Sequence, residues 1–177
     1  MHVKAKAAAF GGLSVALSIV CMSLGSIIES NTLFLLAAAS YFVGIMIREF
    51  GIRAGAAFYA ADVLLGMLVA PNKFYVLSYA AMGLYILLIV IVWQVMARGS
   101  HRIQKRWIFW VLKYLIFNVL FLPVLFLFQD FFFAGHLTGG WLAGVILAAQ
   151  FALWIYDRAY EYAQRYLWDK YRRRILG

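Results

Sequence analysis

The chain is short of what a soluble enzyme needs. Only 13% of its 177 residues are charged, and seven acidic side chains stand against sixteen Lys and Arg. Soluble domains average about 25% charged and about 45–50% apolar residues, whereas this chain is 66% hydrophobic. No soluble fold of this length hides so much apolar surface, so the long apolar runs read as membrane spans. The one cysteine, Cys21, excludes an internal disulfide and says little about redox compartment. Lying inside an apolar run, it reads as a small packing residue. Histidine is also scarce: His2, His101 and His136 sit near termini or loops and leave few candidates for a metal or nucleophilic site. HExxH, CxxC and P-loop motifs are missing. The sequence therefore reads as a non-enzyme with no cofactor, no metal site and no ATP hydrolysis of its own.

What is present is a succession of apolar runs. Spans are expected at 7–28, 32–48, 53–70, 74–97, 107–129 and 138–164. At 1.5 Å per residue, about 20 residues cross the hydrocarbon, and each run meets or nearly meets that length. The first is too long for a signal-peptide apolar region and lacks a clear cleavage site. The expected fold is an all-α, six-helix membrane bundle forming one integral membrane domain, with a basic tail at 165–177. The polar stretch "ARGSHRIQKRW" divides it into two three-span halves. The stretch "YDRAYEYAQRYLWDKYRRR" reads as an amphipathic continuation of the last span, with Glu161 and Arg165 at a favourable i, i+4 spacing.

All of the sixteen Lys and Arg residues except Lys73 and Lys113 collect on one side of this topology. By the positive-inside rule both termini are then cytoplasmic, in a multi-pass cell-membrane protein. The net charge of +9 faces anionic lipid headgroups, at about 1 kcal/mol per basic residue near the surface. Membrane lipid accounts for it without a nucleic-acid partner.

Three loops fall on the opposite side: Glu29-Ser30-Asn31, Pro71-Asn72-Lys73 and roughly 130–140. They carry Glu29, Asn31, Asn72, Lys73, Asp130 and His136, which together suit a shallow outward pocket. Each alone also reads as a solvated loop residue. Lys73 is the sole basic residue on that face, a position the positive-inside rule disfavours. It reads either as a cap on the carbonyls ending the third span or as a contact to an anionic ligand. Asn118 and Gln150 lie at depth and read as interhelical hydrogen-bond formers or as ligand contacts.

Charges inside spans are informative because they are costly there. Asp62 lies nine residues past Arg53, roughly 14 Å in, and Lys113 seven past Arg106, roughly 11 Å in. Their spans run in the same direction, so an intramembrane Asp62–Lys113 ion pair is expected, as internal glue or as part of a transport path. Small residues mark the first span: Ala5 and Ala9 form one step, and Ala8, Gly12 and Ala16 a neighbouring stripe. Such faces let helices approach closely, within the bundle or against another subunit. Gly51, Gly55 and Gly66 suggest a further tight contact around the third span.

With six spans in under 200 residues and this first helix, the chain resembles the S components of energy-coupling factor (ECF) transporters. More narrowly, "KAAAFGGLSVALSIVCMSLGSII", "YAADVLLGMLVAPNK" and the late "ALWIYDRAYEYAQRYLWDKYRRR" are similar to an S-component-like group from Gram-positive bacteria. The resemblance covers most of the chain. It implies a substrate-capturing membrane subunit of a bacterial vitamin-type importer, which binds a small water-soluble nutrient beneath the outward loops. It also implies partners: a coupling membrane subunit and two cytoplasmic ATPases. On this likeness Ala5, Ala8, Ala9, Gly12 and Ala16 would dock on the coupling subunit, and Lys73 would meet the ligand or lock the loop. A ligand held by Lys73 would be anionic. The chain departs from the group at Asn72, where Asp is usual, at Glu29, and at Asp62 in a helix that is usually apolar. Those departures leave the nutrient open. Two further readings stand beside this one: an accessory or structural membrane protein without a small ligand, and a small ion-coupled carrier using Asp62 and Lys113.

Overall fold

A computed structural model describes residues 2–97, 102–132 and 140–170. It contains six α-helices: α1 His2–Ile27, α2 Thr32–Phe50, α3 Ile52–Val69, α4 Lys73–Ala97, α5 Arg102–Phe132 and α6 Gly140–Tyr162. The last passes into a π-helical segment, Ala163–Trp168. All six are long and apolar enough to cross a membrane, over Ala7–Ile27, Thr32–Phe50, Ile52–Val69, Lys73–Ala97, Trp107–Phe126 and Gly140–Tyr166. The expected all-α, multi-pass architecture is what forms. Large apolar side chains point outward along these helices, among them Leu68 (78% exposed), Trp107 (80%) and Trp141 (79%). In water such a surface would be a liability, whereas a bilayer solvates it.

The connections follow from single residues. Gly51 alone joins α2 to α3, with φ +88°, a conformation other residues rarely adopt. One turn on, a Cβ at Gly55 would lie 2.2 Å from Ile47 Cγ1, so only glycine lets α3 start this close to α2. At the far end of α3, Ala70 is extended, as a residue before proline prefers, and Pro71 stops the helix. In the link from α1 to α2, the Thr32 hydroxyl donates to the Gly25 carbonyl over 2.8 Å.

The chain forms two compact units, 1–91 with 162–177, and 92–161. The division falls inside α4 rather than at the basic linker that separates the two three-span halves of the sequence. In the first unit α1, α2 and α3 pack on one another. Met22, Ala39, Val43, Val76, Tyr79 and Ile86 are sealed in its core at 0% exposure. In the second, Trp93 packs on Phe109 with ring centroids 5.0 Å apart, and Leu125 and Leu153 are buried. Pro123 lies within α5, where it removes one helical N–H donor.

Candidate functional site

The α3–α4 turn of the first unit holds Asn72 and Lys73. Lys73 Nζ donates to the Ala70 carbonyl, 2.8 Å away, and so caps the end of α3. Asn72 Oδ1 accepts from the Phe74 N–H at 3.0 Å, capping the start of α4. The bond to Ala70 is the capping contact weighed for Lys73. Asn31 sits in the α1–α2 turn, exposed, its backbone N–H donating to the Ile28 carbonyl. The side chains of Glu29 and Asp130, and all of His136, lie outside the described residues.

Among the described residues, the interior of the first unit contains one acidic side chain, Asp62, at 0% exposure. Tyr79 of α4 donates its hydroxyl proton to Asp62 Oδ2. Oδ1 has no hydrogen-bond partner. Ser18 of α1 lies beside the carboxyl group, and its own hydroxyl is directed at the Ala39 carbonyl of α2, 3.4 Å away.

Lys113 belongs to the second unit, Asp62 to the first. Lys113 Nζ lies 2.8 and 2.7 Å from the two oxygens of Asp157 and 3.4 Å from Glu161 Oε1. It also stands 4.8 Å above the Phe109 ring and 5.2 Å from that of Trp110. Each of the two has a partner inside its own unit: Tyr79 for Asp62 and Asp157 for Lys113. Glu161 turns to Lys113 and, at 3.3 Å, to Arg158, not to Arg165. Asn118 and Gln150 form a reciprocal amide pair at 2.8 and 3.4 Å, the interhelical role weighed for both.

Two features carried no sequence signal strong enough to find. The tail is not a free amphipathic extension: Arg48 at the end of α2 donates to the Gln164 carbonyl at 2.7 Å and pairs with Asp169. Trp168 donates to Glu49 at 2.8 Å and packs on Phe10, which also meets Phe50. On α6, Gly140, Gly144 and Ala148 recur every fourth residue and line a shallow apolar groove with Trp141 and Val145. All three lie within the span expected at 138–164.

The small face of α1 is open. Ala5, Ala8, Ala9, Gly12 and Ala16 are all exposed, and a Cβ at Gly12 would meet nothing within 4 Å. By contrast, one at Gly11 would touch Met46 at 3.4 Å. Gly55 and Gly66 do make the expected close contacts, Gly55 with Ile47 and Gly66 with Met22 and Val76. No family model matches the chain, and no curated protein or solved structure does either.

Proposed function

We propose that the chain is the substrate-capturing membrane subunit of a multi-component importer for a small water-soluble nutrient. In this reading it lies in a bacterial cell membrane with both termini cytoplasmic, binds its nutrient from outside, and works with a coupling membrane subunit and two ATPases. The observation that carries it is the open face of α1. Its small residues are exposed among the described residues, on the helix where the resemblance places docking. Closely approaching backbones are what such a face permits, in a membrane where apolar burial alone does not drive helices together.

An accessory membrane protein without a small ligand is the second reading. It is favoured by Lys73 and Asn72, both occupied in capping the α3–α4 turn. A carrier built on an Asp62–Lys113 couple has less to support it, since Lys113 is held by Asp157.

Thermal unfolding of the purified protein against vitamins, nucleobases and amino acids separates the first two. A true ligand at a hundredfold its dissociation constant adds about 2.7 kcal/mol of stability. One compound raising the melting temperature supports the importer subunit. A folded protein that responds to none of the panel supports the accessory reading.

A further inference from the structure

We propose that Asp62 is a proton-binding site, its carboxyl group holding a proton inside the first unit among α1, α3 and α4. The proposal stands apart from the importer reading and rests on the surroundings of one side chain. Asp62 is fully buried, its Oδ2 accepts from Tyr79, the Ser18 hydroxyl stands beside the group, and Oδ1 has no hydrogen-bond partner. No Lys, Arg or His pairs with it among the described residues. The groups facing it are Ser18 and the Cys21 thiol from α1 and the Tyr79 hydroxyl from α4. From α2 comes only the Ala39 carbonyl that receives the Ser18 hydroxyl. A buried carboxylate without a counter-ion is the arrangement an apolar interior disfavours most, and neutralisation by a proton relieves it.

A metal cation fits less well. Such an ion needs several oxygen ligands, and a single carboxylate is present. One turn along α3 the packing is already tight: a Cβ at Gly66 would lie 3.2 Å from both Met22 and Val76. A proton needs no coordination shell. With the proton on Oδ1, the Ser18 hydroxyl beside the group is available as an acceptor, its own hydrogen being directed at the Ala39 carbonyl. Oδ2 then remains the carbonyl oxygen that accepts from Tyr79.

Infrared spectroscopy of the protein in lipid nanodiscs at neutral pH tests this. The wild-type spectrum minus that of Asp62→Asn should show a carboxylic-acid C=O band. Tyr79→Phe should move that band to higher frequency, because the carbonyl oxygen loses its donor. Asp62→Asn, neutral and of the same shape, should melt no lower than wild type. A difference spectrum with carboxylate bands in place of the acid band overturns the proposal. If Asp62→Asn does not fold, Tyr79→Phe decides: an acid band that fails to move overturns it as well.

Discussion

Lys113 Nζ reaches both carboxylate oxygens of Asp157, at 2.8 and 2.7 Å, with the two side chains only 5% and 3% exposed. This is a buried, doubly contacted ion pair between α5 and α6, extended by Glu161 and roofed by the rings of Phe109 and Trp110. Its stabilising value lies less in the attraction than in what removing one partner exposes. The Coulombic gain is set against the desolvation of two charges, whereas a lone charge keeps all the penalty and none of the gain.

Lys113→Met should therefore destabilise strongly, by about 3–5 kcal/mol, and Asp157→Leu by a similar amount. The double variant should recover most of that loss, because neither charge remains. Reversible unfolding in detergent, read through a double-mutant cycle, measures the coupling. Additive losses in the double variant would show that the two residues act independently.

That pair also shows what a sequence can and cannot disclose here. The six spans were legible, since uninterrupted apolar runs announce themselves by length. The start of each crossing segment lies within two residues of its expected position. The partners of the buried charges were not. Counting 1.5 Å per residue fixes depth along a helix but not the direction a side chain faces once helices have packed. Within their own units Tyr79 faces Asp62 and Asp157 faces Lys113. Asp157 was overlooked because it sits in "IYDRAYEY", where aromatic and charged residues resemble the start of a tail. The latch of that tail onto α2 was hidden for another reason: Arg48 and Asp169 are 121 positions apart in sequence, and nothing local links them.

Lys73 offers a clean separation of cap from ligand contact. Its ammonium group donates to Ala70 at the end of α3 while the residue itself is exposed. Lys73→Met should lower stability modestly, by about 0.5–1.5 kcal/mol, the usual net value of one hydrogen bond. Any nutrient found by thermal shift should still bind if the cap is the whole role. Loss of binding with an unchanged melting temperature would return Lys73 to the ligand.

The latch between tail and α2 should loosen in stages. Arg48→Ala removes the pair with Asp169 and the donor to the Gln164 carbonyl. The pair is partly exposed, at 37% and 46%, so its own contribution is about 0–1 kcal/mol and falls with salt. Trp168 is 7% exposed and joins Glu49 to Phe10. Trp168→Ala should therefore release the tail more completely. Limited trypsinolysis reads both changes as faster cleavage at Arg165 and Lys170, with Trp168→Ala the faster. Equal rates in wild type and both variants would mean that these contacts do not hold the tail.

Neighbouring glycines on α1 test the docking face most directly, because successive helical residues point about 100° apart. Gly11 faces Met46 and has room for little more than a Cβ, at 3.4 Å. Gly12 faces open space. Gly11→Leu overfills the contact between α1 and α2 and should lower stability by about 1–3 kcal/mol. Gly12→Leu meets no neighbour and should leave the isolated protein within about 0.5 kcal/mol of wild type. Under the importer reading the same substitution holds off an approaching helix, so reconstitution with the coupling subunit and its ATPases should fail. A Gly12→Leu protein that is stable and still assembles would remove α1 as the docking helix. A Gly12→Leu protein that melts early would show instead that this face packs within the chain.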